Sequence, residues 1–95
     1  MEVQATDIFK KWLDGLPDLR ARARIQARIK RFADGNPGDI APVGEGVSEM
    51  RIHCGSGYRL YYVKRGQEHV ILLAGGDKSS QARDIKRALQ LAKEF

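Results

Sequence analysis

Hydrophobic positions along this chain change period several times, and each change marks an element. Phe9, Trp12, Leu13 and Leu16 fall at helical spacing behind Asp7, a residue suited to cap a helix. Pro17 ends that helix, and Asp18 is placed to cap the next. In the second helix Ala21, Ile25, Ile29 and Phe32 recur at the same period and predict a core-facing stripe. Arg20, Arg24, Arg28 and Arg31 run beside it as a stripe expected to face outward. Gly35-Asn36-Pro37-Gly38 stops the helix, so the two helices should form a hairpin laid on one face of a sheet.

The rest reads as strands. Met1 to Ala5 predicts a short edge strand, and Asp39 to Gly46 an extended connection with Pro42, Gly44 and Gly46. Three strands are expected at Val47 to Cys54, Tyr58 to Arg65 and Glu68 to Ala74. A three-residue loop, Gly55-Ser56-Gly57, would set Cys54 opposite Tyr58, Ile52 opposite Leu60 and Met50 opposite Tyr62 on the core side. Arg51 would then face Tyr61, and His53 would face Arg59, on the other side. A Gly66-Gln67 turn leads to a third strand, apolar on both faces and therefore central. Gly75-Gly76 permits a tight turn, and Ser79 or Ser80 caps a last helix striped by Ile85, Ala88, Leu89, Ala92 and Phe95. The predicted order is β-α-α-β-β-β-α. That is an α+β fold with an N-terminal strand, a helical hairpin on a small twisted, mainly antiparallel sheet, and a C-terminal helix.

Residues 1–95 make one domain at this length, burying about two-thirds of the surface of the unfolded chain. No window approaches the roughly 18 apolar residues that span a bilayer, so no membrane partner is expected. The first residues lack a secretory pattern, and the single Cys54 makes no internal disulfide, so the cytoplasm is the simplest compartment. The net charge is +5, and Asp18 to Asp34 holds six basic residues between its two terminal acids. That imbalance points to a polyanion or an acidic protein partner, or to a solvated helix face.

Strands that carry arginines and tyrosines suggest a surface that handles RNA. Cutting RNA without a metal needs a base for the 2′-hydroxyl proton, cations on the pentacoordinate phosphate, and an acid for the leaving 5′-oxygen. The hairpin register gathers Arg51, His53, Arg59 and Tyr61 on one face. Arg59 and Arg51 fit phosphate oxygens bidentately, or pair with a carboxylate such as Glu49. Tyr61 stacks on a base, donates a proton, or simply packs. His53 carries an imidazole, a side chain suited to proton transfer, or is an exposed side chain beside a turn. His53 and His69 do not make a metal ligand set, and no cofactor is expected. Gly75-Gly76-Asp77-Lys78-Ser79-Ser80-Gln81 lacks the spacing of a P-loop.

The stretch GYRLYYVKRGQEHVILLAGGDKSSQARDIKRA, Gly57 to Ala88, resembles the RelE/ParE superfamily of toxins from bacterial toxin–antitoxin modules. Met50-Arg51-Ile52 and Phe9-Lys10-Lys11-Trp12-Leu13 extend the likeness over nearly the whole chain, nearest to the HigB-like or addiction-module killer branch. The resemblance implies a RelE-like fold and a type II toxin, a metal-independent, ribosome-dependent mRNA endonuclease. It implies catalytic roles for Arg51, Arg59, Tyr61 and Lys78, and RNA or ribosome contacts for Arg20, Arg24, Arg28, Arg31, His53 and Gln81. Lys78 and Gln81 enter through the recurring Gly-Gly-Asp-Lys-x-x-Gln signature of that branch. Many relatives place a tyrosine or histidine near the C-terminus for proton transfer, whereas this chain ends in Phe95, leaving Tyr61 or His53 for the task. The implied partners are a cognate helix-turn-helix antitoxin, mRNA and the ribosome. A ParE-like inhibitor of DNA gyrase and a non-toxic RNA-binding domain share the same sequence features.

Overall fold

The computed structural model describes residues 1–95. The chain runs β1 (Glu2–Ala5), α1 (Asp7–Asp14), α2 (Leu19–Ala33), β2 (Ile40–Gly44), β3 (Val47–Ile52), β4 (Tyr58–Arg65), β5 (His69–Gly76), a 3₁₀ turn (Lys78–Ser80) and α3 (Gln81–Ala92). Five strands form one sheet in the order β1-β5-β4-β3-β2, with β1 parallel to β5 and every other pair antiparallel. The α+β architecture follows the pattern of the sequence, with one strand more than expected.

That strand is β2, in the segment read as a connection. Ile40 to Gly44 pairs with β3, and Glu45 and Gly46 both carry positive φ, as a tight hairpin turn requires. Pro42 hides the strand in the sequence, yet a proline is tolerated there because β2 is a sheet edge.

Both faces of the sheet are covered. On one, Phe9, Ile25 and Phe32 of the hairpin pack on Met50, Ile52, Leu60, Tyr62, Val70 and Leu72. On the other, Ala88 and Ala92 of α3 pack on Val47, Tyr61, Val63, Ile71 and Leu73. The helical period set both contacts, and α3 roofs the face that carries Arg51 and Tyr61.

Several local expectations change. Thr6, not Asp7, caps α1: its hydroxyl accepts from the Phe9 amide at 3.0 Å and donates to the Leu73 carbonyl at 2.7 Å, fixing α1 to β5. Asp18 caps α2 as expected, accepting from the Arg20 and Ala21 amides. Asp77 holds the 3₁₀ turn before α3, while Ser80 makes no side-chain cap and instead donates to Asp84. The β4–β5 connection spans Gly66 to Glu68, since Arg65 pairs with His69.

The β3–β4 loop is longer than expected and shifts the register by two residues. Ile52 pairs with Tyr58, Met50 with Leu60, Arg51 with Arg59 and Glu49 with Tyr61. Gly55 and Gly57 both take positive φ in the connection. Because the shift is even, the side chains within both strands keep their predicted faces while their partners change. His53 lies beyond the end of β3 and lines a depression with α2 instead of facing Arg59.

Gly75 and Gly76 do not turn the chain; they end β5 without positive φ. The ladder slips at Tyr61/Tyr62, where Leu73 is the extra residue between the pairs Tyr62–Leu72 and Tyr61–Ala74. Beyond this bulge Gly75 lies against the Trp12 ring, and Gly76 against Asp84 and Ser80. A Cβ at either would collide, so the two glycines let α1 and α3 approach the sheet closely from opposite sides.

Candidate functional site

Glu49 is the electrostatic centre of the α3 face. It is 2 % exposed, and a carboxylate so buried is tolerated only when its oxygens are matched. Arg51 Nε donates to Oε1 at 2.8 Å, Gln81 Nε2 donates to Oε2 at 3.2 Å, and Arg59 Nε lies 3.8 Å from Oε2. Arg51 and Arg59 sit directly opposite on β3 and β4, where like charges repel; the carboxylate beside them offsets that repulsion. Glu49 raises the Arg51 pKa, by its hydrogen bond first and its charge second.

Behind this pair Tyr61 is fully buried beneath α3, and its hydroxyl has no hydrogen-bond partner. Burial first, then the nearby Glu49 and Asp84 charges, push its pKa up to about 12. Such a phenol is sealed from an incoming base and holds its proton tightly. Arg59 is largely enclosed as well, with Nε and Nη1 lacking hydrogen bonds.

Arg51 reaches out of this interior. Its Nη1 lies 3.6 Å from Asp39 Oδ1, and Asp39 Oδ2 lies 2.6 Å from His53 Nε2. The His53 hydrogen bond, followed by the Arg51 charge, holds the Asp39 carboxyl below the usual carboxylate range. Glu49, Arg51, Asp39 and His53 therefore form one chain of contacts from the roofed face to the end of the sheet.

There the chain meets the arginines of α2. Asp18, Arg20, Ala21, Arg24, His53, Cys54 and Gly55 line one depression. An adjoining one is lined by Arg24, Arg28, Arg31, Asp39, Arg51 and His53 together with Ala27 and Ile52. Arg24 and His53 border both, so the two form a continuous groove between α2 and the loop end of β3. Helical spacing aligns the arginines; β3 supplies Arg51 opposite them, and the residues just outside the strand ends supply Asp39, before β2, and His53, after β3.

Arg28 departs from the outward stripe. It is buried, and Nη2 donates to the Pro37 carbonyl at 2.6 Å, tying the end of α2 to the loop before β2. Burial first and Arg31 second lower its pKa. Its guanidinium occupies the space over Gly38 where a Cβ would stand, which accounts for a glycine there.

The structure thus brings together Arg20, Arg24, Arg28, Arg31, Arg51 and His53 in the groove. It places Arg59 and Tyr61 behind, beside Glu49 under α3, and Gln81 at the start of that helix with its amide on Glu49. Lys78 is exposed in the 3₁₀ turn, its stem facing Gly57 of the β3–β4 loop. His69 stands apart, 3.7 Å from Glu2. Sequence reasoning missed Asp39, the residue that joins Arg51 to His53; it follows a glycine in a loop, and no local pattern marks it. No helix is long and apolar enough to cross a membrane.

A hairpin of helices on one face of a small mixed sheet, a C-terminal helix on the other, and a cationic groove at one end describe a RelE-like domain. Residues 11–94 match the family described as Phage derived protein Gp49-like (DUF891), and the chain belongs to that family. It is a RelE-like family associated with toxin–antitoxin modules. A Haemophilus influenzae protein, described as uncharacterized, is 50% identical over 95 residues, covering 100% of this chain and 96% of its own length. Family membership points to a toxin of the toxin–antitoxin type, with an antitoxin as its partner.

Proposed function

We propose that this protein is the toxin of a type II toxin–antitoxin module, of the HigB-like branch, and that it cleaves mRNA on the ribosome without a metal. The observation that carries the reading is the groove in which the α2 arginines meet Arg51 and an imidazole paired with a carboxylate. Arginine forks are suited to phosphate, and a His–Asp pair is suited to moving a proton beside it.

In this reading the 2′-hydroxyl attacks the adjacent phosphorus. The P–O2′ bond forms as the P–O5′ bond breaks, giving a cyclic phosphate and a free 5′-hydroxyl. One proton leaves O2′ and one arrives at O5′. Arg51 and Arg24 neutralise charge on the phosphorane oxygens. His53, oriented by Asp39, moves a proton, a role left open by Phe95 and unsuited to the sealed Tyr61. Arg20 and Arg31 hold the flanking strand, and Lys78 contributes from the loop end. Arg59 and Gln81 act from behind, through Glu49.

Purified protein with programmed ribosomes and a short mRNA tests this by primer extension. His53→Ala and Arg51→Ala should each reduce A-site cleavage by about 10²–10⁴-fold, while Tyr61→Phe retains it. Intact mRNA from wild-type protein that is folded and toxic in cells would refute the nuclease and turn attention to gyrase.

A further inference from the structure

The contact chain crosses the sheet layer, and this suggests a role for a residue that never touches the groove. We infer that Glu49 is a positioning residue for the groove and that Gln81, at the start of α3, holds Glu49 in its working position. The inference rests on the nuclease reading for its functional arm, but its structural arm stands without it.

Glu49 contributes no atom to the groove lining, yet it fixes the side chain that does. One end of the Arg51 guanidinium is held at Nε by Glu49 Oε1 at 2.8 Å, and the other approaches Asp39 through Nη1 at 3.6 Å. A backbone bond from the Arg51 amide to the Asp39 carbonyl, at 3.0 Å, keeps the two segments in step. Asp39 in turn holds His53 Nε2. Arginine carries several rotatable bonds, and without an anchor at Nε its fork is free to fold fully onto Asp39 and draw that carboxylate from His53. The second oxygen of Glu49 accepts from Gln81, whose backbone belongs to α3, and faces Arg59.

The geometry therefore couples the seating of α3 to the setting of the groove. Gln81 closes the Gly-Gly-Asp-Lys-Ser-Ser-Gln segment. Gly76 lets α3 come close enough, since a Cβ there would strike Asp84 and Ser80. The segment seats α3, the helix presents Gln81, Gln81 and Arg59 set Glu49, and Glu49 sets Arg51. Arg59, enclosed and without hydrogen bonds at Nε and Nη1, acts here as a counter-charge within the interior.

The test uses the full chain labelled with ¹⁵N, comparing wild type with Glu49→Gln and Gln81→Ala. Glu49→Gln keeps the volume and removes the charge. The amide carbonyl still accepts but without the charge, so the expected signature is faster exchange of the Arg51 Nε–H together with displacement of the His53 ring signals, although position 49 does not touch His53. Gln81→Ala should show the same changes in smaller degree. On ribosomes, kcat should fall about ten- to a hundredfold, the range typical when an outer partner of a site is lost, while KM changes less than about threefold. A purely structural glutamate would lower the melting temperature and leave the His53 signals in place in the folded fraction.

Wild-type Arg51 and His53 signals in both variants would overturn the inference, whatever the cleavage assay gives. If Glu49→Gln does not fold, Gln81→Ala alone decides by the same criterion. If wild-type protein cuts no mRNA while the signals move as expected, the nuclease reading fails and the coupling stands.

Discussion

Replacing Tyr61 with phenylalanine should stabilise this protein, although it removes a polar group from a strand rich in functional candidates. The Tyr61 side chain is fully buried, and its hydroxyl has no hydrogen-bond partner. Burying an unpaired hydroxyl costs about 1–3 kcal/mol by protein mutational data, so phenylalanine recovers part of that and leaves only the small gap of one oxygen. We expect a net gain of about 1 kcal/mol, which for a domain of this size raises the melting temperature by about 4–8 °C.

Alkaline pH should widen the gap between the two proteins. The folded-state pKa of Tyr61 is pushed up to about 12 from 10.0. Unfolded chains therefore release this proton first, and the wild type loses stability as pH rises from its unfolded pKa through its folded one. At pH 11 the loss relative to Tyr61→Phe is about 1.4 kcal/mol, one pKa unit of differential ionisation. Urea denaturation at pH 8 and pH 11 measures both quantities, and primer extension on ribosomes checks that cleavage survives. A variant destabilised by more than about 1 kcal/mol at pH 8 would mean the hydroxyl is satisfied. Loss of cleavage from a folded variant would return Tyr61 to the chemistry.

Four other outcomes follow from the same geometry. Gly75→Ala drives a methyl into the Trp12 ring and should cost about 1–3 kcal/mol in chemical denaturation, with α1 losing its seat on β5. Arg28→Ala leaves the Pro37 carbonyl without its charged donor and should cost about 2 kcal/mol in stability, whereas Arg24→Ala on the exposed part of α2 should leave melting almost unchanged. Binding of a single-stranded RNA should weaken with salt, and each of Arg20→Ala, Arg24→Ala and Arg31→Ala that removes a phosphate contact should flatten the log–log slope by about 0.7. Asp39 has a depressed pKa, so its pairing stabilises the fold above its unfolded value near 3.8 and is lost as pH falls below it. Asp39→Asn should remove that part of the acid limb of a stability–pH curve.

The sequence carried the helices well because their stripes are periodic, although Thr6 rather than Asp7 caps α1 and Ser80 makes no side-chain cap for α3. Ile25 and Phe32 met the sheet as their spacing required, and Asp18 capped α2 with its own side chain. Val47, Tyr61 and Val63 share a face because alternation along a strand is a backbone property. β2 escaped notice since an edge strand with Pro42 and Gly44 has the composition of a loop, and pairing with β3 is a non-local fact. The β3–β4 register failed by two residues for a related reason. Gly55 and Gly57 both favour turns, and the choice between a short and a longer loop lies in how the strands pack.

What the sequence determined by itself was the three helices and four of the five strands, the faces of those strands, the cationic character of α2 and the family resemblance. Each follows from short-range periodicity, charge or motif, and none depends on knowing what lies across the sheet. Only the tertiary structure decided which charged residues meet solvent and which meet one another. Of the stripe read from the sequence, Arg20, Arg24 and Arg31 stay exposed and Arg28 is buried, because Arg28 finds the Pro37 carbonyl within reach. Arg51 and Arg59, indistinguishable as strand arginines, part company because α3 closes over Arg59 and Tyr61 while Arg51 extends past its edge to Asp39. Burial and pairing are properties of three-dimensional neighbours, and they separate the groove that meets a ligand from the interior that holds it in place.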